Sequence, residues 1–350
     1  MTFLIVSPSW SESNSGWYGG KTFRLGEHKA ACFCPTFGSR LRLLRMARVL
    51  CSLVWLFMWL LLHVRRGEKV IAYHAPWMGL PLVAARSLRR FKLVLEVEEE
   101  YHKIARLPLP LAIAEALVVN RADMYIFPNE IMPGRVGRPS REHVVVHGVY
   151  ATYQQLSKPE EDGKVHLVYA GAIQGSRPDA FNALQGSRFL GDRYVLHILG
   201  FGDIASLRQA INRVTTSGGC KVICEGTKSG DDFVASMQRY HIGLSTHRAS
   251  GAYPETSFPS KILSYMSLGL RVVSADLKCV TGSRVADLIT YYSEDTPEAI
   301  ADAIRRVNME DAYDPTERLR ELHGEFVKQI ADLLAYPQVA LPGGTLGGGD

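Results

Sequence analysis

The stretch Tyr253–Asp276, with the sequence YPETSFPSKILSYMSLGLRVVSAD, decides how the second half of the chain folds. A turn cluster with two prolines precedes apolar residues at positions 262, 263, 265, 266 and 268, which is helical spacing. We predict Ser260 as the N-cap and Gly269 as the C-cap of this helix, followed by a short buried strand at Arg271–Ala275. Lys261 stands in the first turn, where free backbone N–H groups and the helix dipole favour anions. The stretch therefore predicts an anion site, and an ordinary surface lysine beside a helix cap is the alternative.

The length and composition are typical of a folded protein with two domains. The 350 residues are 47% hydrophobic and 21% charged, which excludes an intrinsically disordered chain. Phe3–Val6 is too short to be the core of a signal peptide. The six cysteines, at positions 32, 34, 51, 220, 224 and 279, lack zinc-type spacing. We therefore expect reduced thiols in a cytoplasmic protein.

Positive charge is concentrated in the first half of the chain. Residues 1–163 carry 21 Lys and Arg against 14 Asp and Glu, whereas residues 164–350 carry 19 against 21. A basic half is typical of proteins that bind nucleic acid, a membrane surface or a phosphorylated substrate. The sequence has no nucleic-acid-binding motif, so we expect no nucleic-acid partner.

The segment Arg40–Arg66 combines arginines with a long apolar run. Val49–Val64 is mostly apolar, and arginines stand before and after it. As a helix this run would be about 24 Å long, shorter than a bilayer core of about 30 Å. It is therefore a buried helix of an α/β domain, a helix in the membrane interface with arginines towards anionic lipid, or, least favoured, a membrane span.

The first half alternates apolar strands with helices, which predicts a parallel sheet covered on both faces. Its first strand, Thr2–Val6, runs into a polar loop that ends in Gly19 and Gly20. Nucleotide-binding α/β domains begin in this way, although the glycine spacing here matches no phosphate-binding motif. A flexible loop without a ligand is the alternative.

An acidic cluster follows another predicted strand of the first half. Lys92–Glu96 reads as a strand, and it leads into Glu98, Glu99, Glu100 and His102. Open α/β sheets bind their ligands at the carboxyl ends of strands, which makes these side chains candidates for a site. A solvated acidic loop is the alternative.

The strand–helix pattern restarts after the polar linker Tyr150–Lys164. Strands are predicted at Val165–Tyr169, Tyr194–Leu199, Lys221–Cys224 and His241–Ser245. We therefore divide the chain into a Rossmann-like domain at residues 1–155, a second Rossmann-like domain at residues 164–335, and a disordered glycine-rich tail at residues 336–350.

Four pieces of the second half occur in a recognisable order. They are LVYAGAIQGSRPDAF from residue 167, YVLHILGFGD from 194, ICEGTKSGDDFVASMQRYHIGLSTH from 223 and TSFPSKILSYMSLGLRVVS from 256. This half resembles the donor-binding half of GT-B glycosyltransferases of the retaining, family 4-like (group 1) kind, found in bacterial polysaccharide synthesis. The first half resembles the family only in architecture and in pieces such as SGWYGG and EVEEEY. The resemblance implies two Rossmann-like parallel-sheet domains facing a cleft.

The resemblance also implies a nucleotide-sugar donor, with UDP as the expected nucleotide. This sequence departs from the family at the paired glutamates, which fall on Thr256 and Ser264, and at an arginine, which falls on Ala172. We therefore predict that Lys261 and Arg177 neutralise the donor diphosphate and that a hydroxyl of Ser264 or Tyr265 contacts the ribose. The complete predicted donor set is Arg177, Lys261, Gly171, Gly226, Thr227, Ser260, Ser264 and Tyr265, with Gly19 and Gly20 from the facing domain.

The expected chemistry places negative charge on the leaving diphosphate. Two cations and a helix N-terminus stabilise such charge without a metal, and the sequence contains no D-x-D triplet. We therefore expect no metal and no cofactor, because the sugar nucleotide is itself a substrate. Glu99 is predicted as the polar group near the acceptor hydroxyl, with Glu98 and His102 as further candidates and His74 as a second candidate histidine.

The leading hypothesis is a cytoplasmic hexosyltransferase that moves a sugar from a UDP donor to a glycan or polyprenyl-linked acceptor in surface polysaccharide synthesis. The basic first half and the segment Arg40–Arg66 favour peripheral attachment to the inner face of the cell membrane. One alternative is a UDP-sugar epimerase of the same architecture. Another is a non-catalytic GT-B-like subunit that binds a glycan or a partner, which the missing glutamates favour.

Overall fold

The chain folds into two α/β units, each built on a parallel sheet of six strands. The computed structural model describes residues 3–7, 28–32, 42–97, 101, 107–136, 140–150, 152–174, 178–215, 218–247 and 257–334. Of these, the first unit takes the residues up to Gly148 together with the chain from Glu325, and the second takes Val149–Gly324. The predicted pair of parallel-sheet domains is therefore confirmed.

The division of the last helix differs from the sequence-based one, which assigned it wholly to the second domain. The end of this helix from Glu325 groups with the first unit, where Lys69 Nζ donates a hydrogen bond of 2.7 Å to the carbonyl of Leu333. The predicted tail, residues 336–350, lies outside the described residues.

The first unit contains six strands in the order β2-β1-β3-β4-β5-β6. The strands are β1 Phe3–Ser7, β2 His28–Cys32, β3 Lys69–Tyr73, β4 Lys92–Glu96, β5 Met124–Phe127 and β6 His143–Val145. The helices are α1 Arg42–His63, α2 Gly79–Arg89, α3 Leu109–Arg121 and α4 Met132–Arg135, with a 3₁₀ turn at Pro76–Met78.

Helix α1 is apolar on two opposite sides. Leu56 and Leu60 are fully buried in the core of the first unit, as the buried-helix interpretation requires. Leu50, Met58 and Leu62 are nevertheless exposed on the same helix. Within the described part of the chain, no helix has the length and apolar character needed to cross a membrane.

The second unit contains six strands and six helices among the described residues, and a seventh helix begins in it. The strands are β7 Val165–Ile173, β8 Tyr194–Gly202, β9 Lys221–Gly226, β10 Ile242–Ser245, β11 Arg271–Ala275 and β12 Ile289–Tyr292. The helices are α5 Asp179–Ser187, α6 Ile204–Thr215, α7 Gly230–Gln238, α8 Ser260–Ser267, α9 Lys278–Thr281, α10 Pro297–Arg306 and α11 Pro315–Leu334, with a 3₁₀ turn at Ala286–Leu288.

The strand order of the second sheet creates a switch point. The order is β12-β11-β10-β7-β8-β9, so the chain builds outward from β7 in one direction and then, from β10, in the other. This is the doubly wound arrangement of dinucleotide-binding domains, which bind ligands outside the carboxyl ends of the strands where the order reverses. The switch point therefore lies between β7 and β10.

Helix α8 ends as the sequence predicts but begins differently. Gly269 has a φ of +83°, and the amides of Gly269 and Leu270 bond back to the carbonyls of Met266 and Tyr265 at 3.0 Å each, which forms a Schellman motif. The prediction of Ser260 as N-cap is wrong by one position. Pro259 is the N-cap and no side chain caps this end, so Ser260 lies within the first turn.

Tyr265 anchors helix α8 to the sheet. A Cβ at Gly243 in β10 would come within 2.3 Å of the Tyr265 ring, so only a glycine lets the ring lie this close to the strand. The Tyr265 hydroxyl accepts a hydrogen bond of 3.0 Å from the amide of Ala170 and donates one of 3.3 Å to the carbonyl of Leu244. One side chain thus connects the helix to both strands that flank the switch point.

We predict that Gly243→Ala destabilises the protein by about 1–3 kcal/mol, because the added methyl group displaces the Tyr265 ring from a packed position. The measurement is the urea midpoint of unfolding. Gly324→Ala is the matched control, since a Cβ at this exposed position of α11 meets no atom within 4 Å. There alanine leaves stability unchanged or raises it by up to about 1 kcal/mol. Equal midpoints for the two variants would contradict the proposed role of Gly243.

Candidate functional site

A pocket of about 220 Å³ lies at the carboxyl ends of β7, β8 and β9. Its walls come from these strand ends and from helices α7 and α8: Ala170, Gly171, Leu199, Gly200, Phe201, Thr227, Lys228, Phe233, Met237, Ser260, Lys261, Ser264 and Tyr265. The structure therefore brings together six of the predicted donor-binding residues, namely Gly171, Thr227, Ser260, Lys261, Ser264 and Tyr265.

Lys261 is held at the wall of this pocket by a tyrosine and an acid. Its Nζ lies 2.9 Å from the Tyr169 hydroxyl, 3.4 Å from Asp179 Oδ2 and 4.3 Å from the centre of the Tyr169 ring. Gly171 makes room for the lysine stem, because a Cβ there would come within 2.7 Å of Lys261 Cε. Lys261 is thus a half-buried cation that two neighbouring side chains hold at the pocket wall.

Asp179, the first residue of α5, completes a charged cluster beside the switch point. Its Oδ2 also lies 2.9 Å from His247 Nδ1, and the residue is buried. Burial alone would raise the pKa of Asp179, but the hydrogen bond from His247 and the positive charges of His247 and Lys261 outweigh burial and lower it. The carboxylate therefore stays ionised at neutral pH and fixes the lysine ammonium electrostatically.

The two hydroxyls predicted to contact a ribose differ in their surroundings. Ser264 is exposed at the pocket wall, and its Oγ donates a hydrogen bond of 3.1 Å to the carbonyl of Ser260 one turn earlier. Tyr265 is fully buried, and its hydroxyl already bonds to the backbone of β7 and β10. The Tyr265 hydroxyl is therefore occupied by backbone partners, although the residue lines the pocket, and Ser264 carries the more exposed of the two hydroxyls.

Two further predicted residues follow β8 and β9. The Thr227 hydroxyl donates a hydrogen bond of 3.0 Å to the carbonyl of Gly200 and lines the pocket. Gly226 precedes it with a φ of +74° and turns the chain there, although its own atoms do not line the pocket. The remaining predicted site residues lie outside the described residues: Gly19, Gly20, Glu98, Glu99, His102 and Arg177.

Reasoning from the sequence missed the partners of Lys261. The pattern predicts Tyr169 at the end of a strand and gives neither Tyr169 nor Asp179 a functional role. His247 follows β10 and carried no local signal of its own. The one available clue was the acidic Asp179, at the start of the helix after the strand end that contains Gly171. An acidic residue at that position is equally well explained as a helix cap.

His74, the second candidate histidine, is buried in the first unit. The distance between His74 Nε2 and Glu115 Oε1 is 3.4 Å. The His74 ring packs edge-on against the Tyr101 ring, with 5.4 Å between the ring centres. Glu115 is itself buried and accepts a hydrogen bond of 2.9 Å from the Tyr101 amide. This pair orders the chain next to the predicted acidic cluster, and an acidic residue within the apolar run LAIAEALVV was its signal in the sequence.

Comparison with known proteins identifies the fold. No protein-family model and no curated protein sequence matches the chain. Among solved structures, it is similar to the lipopolysaccharide outer core galactosyltransferase WaaB, at 14% identity and a TM-score of 0.64 over 96% of this chain and 99% of that one. It is also similar to Anabaena Alr3699/HepE in complex with UDP, at 10% identity and a TM-score of 0.65 over 96% and 100% of the two chains. At such identities the likeness concerns the fold alone, and the chain therefore has the GT-B fold that its sequence predicts.

Proposed function

We propose that the protein is a glycosyltransferase that takes a sugar from a UDP donor bound in the pocket of the second unit. The single observation that carries this proposal is the position of Lys261. It is a fixed cation in the first turn of a helix, beside the switch point where doubly wound sheets bind nucleotides. HepE, which has the same fold, binds UDP and UDP-glucose in its solved complexes, and this supports the choice of nucleotide.

The transfer forms a bond between an acceptor oxygen and the anomeric carbon while the bond from that carbon to the β-phosphate oxygen breaks. The leaving UDP takes the electron pair, so charge grows on its β-phosphate. Lys261 stabilises this charge together with the N-terminus of α8, and Arg177 supplies a second cation. Gly171, Gly226, Thr227 and Ser260 shape the donor site, and Ser264 contacts the ribose.

The acceptor loses a proton in the same step. Glu99 takes the proton from the acceptor hydroxyl, and Glu98 and His102 are further candidates for this role, because all three follow β4 in the sequence. The acceptor oxygen attacks the face of the anomeric carbon from which UDP departs, so the configuration is retained. No metal ion takes part, as the resemblance to the group 1 enzymes implies.

We propose a glycan carried on a lipid as the acceptor, and the exposed side of α1 supports attachment of the enzyme to a membrane surface. Leu50, Val54, Trp55, Met58 and Leu62 expose between 46% and 71% of their surface on this helix. The helix contains no acidic residue, and the exposed Arg65 and Arg66 follow it directly. An apolar helix side beside arginines suits the interface of an anionic membrane at the cytoplasmic face.

Two other functions would need different observations. A UDP-sugar epimerase of this architecture would release UDP when given a UDP-sugar alone, whereas a transferase needs the acceptor. A non-catalytic subunit would bind a glycan or a partner without turnover. The hydroxyl of Ser264, which stands in the place of a family glutamate, is the feature that favours this last alternative.

We predict that Lys261→Ala weakens UDP binding by about 1.5–3 kcal/mol, because a charged hydrogen bond to phosphate is lost. The measurement is isothermal titration calorimetry with UDP. Lys278→Ala is the control, since Lys278 is an exposed lysine of the same unit that does not line the pocket. Its affinity stays within about 0.5 kcal/mol of the wild-type value. Unchanged affinity of Lys261→Ala would remove the proposed donor site.

We predict that Glu99→Gln abolishes sugar transfer and leaves UDP affinity unchanged, because the amide cannot accept the acceptor proton. Transfer is measured as UDP release that depends on the acceptor, and binding by calorimetry. Glu142→Gln, which neutralises an exposed glutamate in the same unit, is the control. Undiminished turnover of Glu99→Gln would exclude Glu99 as the base.

We predict that the double variant Val54→Glu, Met58→Glu no longer floats with vesicles of phosphatidylglycerol and phosphatidylethanolamine. Each removed apolar side chain contributes about 1.5–3 kcal/mol of burial in the interface. Wild-type protein floats, and added salt weakens this flotation by screening the arginines. Phe189→Glu, which alters an exposed aromatic residue of the second unit, is the control. If wild-type protein does not bind the vesicles and elutes as a dimer, the exposed side of α1 is a surface for self-association instead.

A further inference from the structure

One end of the pocket is suited to a flat apolar group. Phe201, Phe233 and Met237 line it beside the end of β8 and helix α7. Lys261 lies over the end of β7, whereas this apolar end follows β8 and β9. β8 separates β7 from β9, and two strand spacings amount to about 10 Å. This separation suits a nucleotide whose phosphates lie at Lys261 and whose base lies against the aromatic rings.

A β-bulge at Glu225 shapes the apolar end. Ile198 pairs with Cys224 and the next residue, Leu199, pairs with Gly226, so Glu225 is the extra residue of β9. A bulge changes the direction of the side chain it contains and is frequent beside binding sites. Gly226 follows with a φ of +74°, and the chain then turns to Thr227 and Lys228 in the pocket wall.

The Glu225 carboxylate is fixed from three sides. Its Oε1 accepts hydrogen bonds of 2.8 Å from His197 Nδ1 and 3.3 Å from the Tyr240 hydroxyl, and its Oε2 accepts one of 3.0 Å from Lys228 Nζ. Burial would raise the pKa of Glu225, but the hydrogen bonds from His197 and Lys228 outweigh burial and lower it. Glu225 is therefore an ionised anchor for the lysine.

Lys228 has donor capacity towards the pocket. Its ammonium donates to Glu225 Oε2 and, at 2.9 Å, to Ser236 Oγ. An ammonium carries three N–H donors, and these two bonds hold it in one place while its side chain forms part of the pocket wall. The pocket thus has two fixed cations: Lys228 at its apolar end and Lys261 at the opposite end.

We propose that Lys228 selects the nucleobase of the donor by donating a hydrogen bond to a ring carbonyl oxygen. Uracil presents such a carbonyl at its position 4, where cytosine has an amino group. An ammonium donates a hydrogen bond to the carbonyl oxygen. It repels the amino group of cytosine, because the ammonium and the amino group are both donors and neither accepts a hydrogen bond from the other. Lys228 is thus a specificity-determining residue, and Glu225 positions it; this inference rests on the proposed nucleotide site.

The test compares UDP with CDP by calorimetry in the full-length protein. Wild-type protein binds UDP about 10- to 100-fold more tightly than CDP, the ratio expected for one charged hydrogen bond. Lys228→Met lowers that ratio to nearly one, mainly by weakening UDP. Lys228→Arg keeps a charged donor and restores most of the preference. Lys221→Met, at an exposed lysine at the start of β9, retains the wild-type ratio.

The outcomes separate this inference from the function on which it rests. Wild-type protein that binds neither nucleotide would refute the donor site and the base selection together. A UDP preference that survives unchanged in Lys228→Met would overturn the role of Lys228 and leave the donor site in place. Glu225→Gln provides a second variant: we expect it to reduce the ratio while Lys261-dependent binding persists, and an unaltered ratio would exclude Glu225 as the positioning residue.

Discussion

The contact between the Tyr265 ring and Gly243 sets the height of helix α8 above the second sheet. Without a Cβ at position 243 the ring reaches the strand, and its hydroxyl then bonds to the backbone of both strands at the switch point. Lys261 lies one turn earlier on the same helix, so its position over β7 follows from this contact. The electrostatics of the pocket therefore depend on a packing interaction within the core.

Neighbouring side chains of the protein hold both lysines of the pocket. Asp179 and Tyr169 hold Lys261, and Glu225 and Ser236 hold Lys228. Each lysine loses side-chain freedom on folding, so less entropy remains to be lost when a phosphate or a base is bound. The neighbouring carboxylates reduce the net positive charge of the pocket, but the N–H donors keep a fixed orientation. Fixed N–H donors in a partly dry site stabilise charge better than mobile ones in water.

The sequence predicted the elements that local signals define. Helical spacing located α8, and a glycine that adopts a left-handed conformation marked its end at Gly269. The start at Ser260 was misplaced by one position because Pro259 enters the helix without a side-chain cap. Periodicity marked Tyr265 as an apolar position, yet its hydroxyl partner Ala170 is 95 positions away, on a strand that only the sheet order makes adjacent. Asp179 and His247 escaped prediction for the same reason.

A single extra residue in β9 illustrates the limit of pattern reasoning. In a regular strand, alternation would direct Glu225 to the face opposite that of Cys224 and Gly226. The carboxylate does lie on that face, where it meets His197 from β8 and Lys228 from the turn, but the bulge moves the pairing partner of Leu199 from Glu225 to Gly226. The letters CEGTK contain no local signal of the bulge, because it arises from the pairing with β8. The apolar end of the pocket is thus defined by the register between two strands, which the three-dimensional fold alone determines.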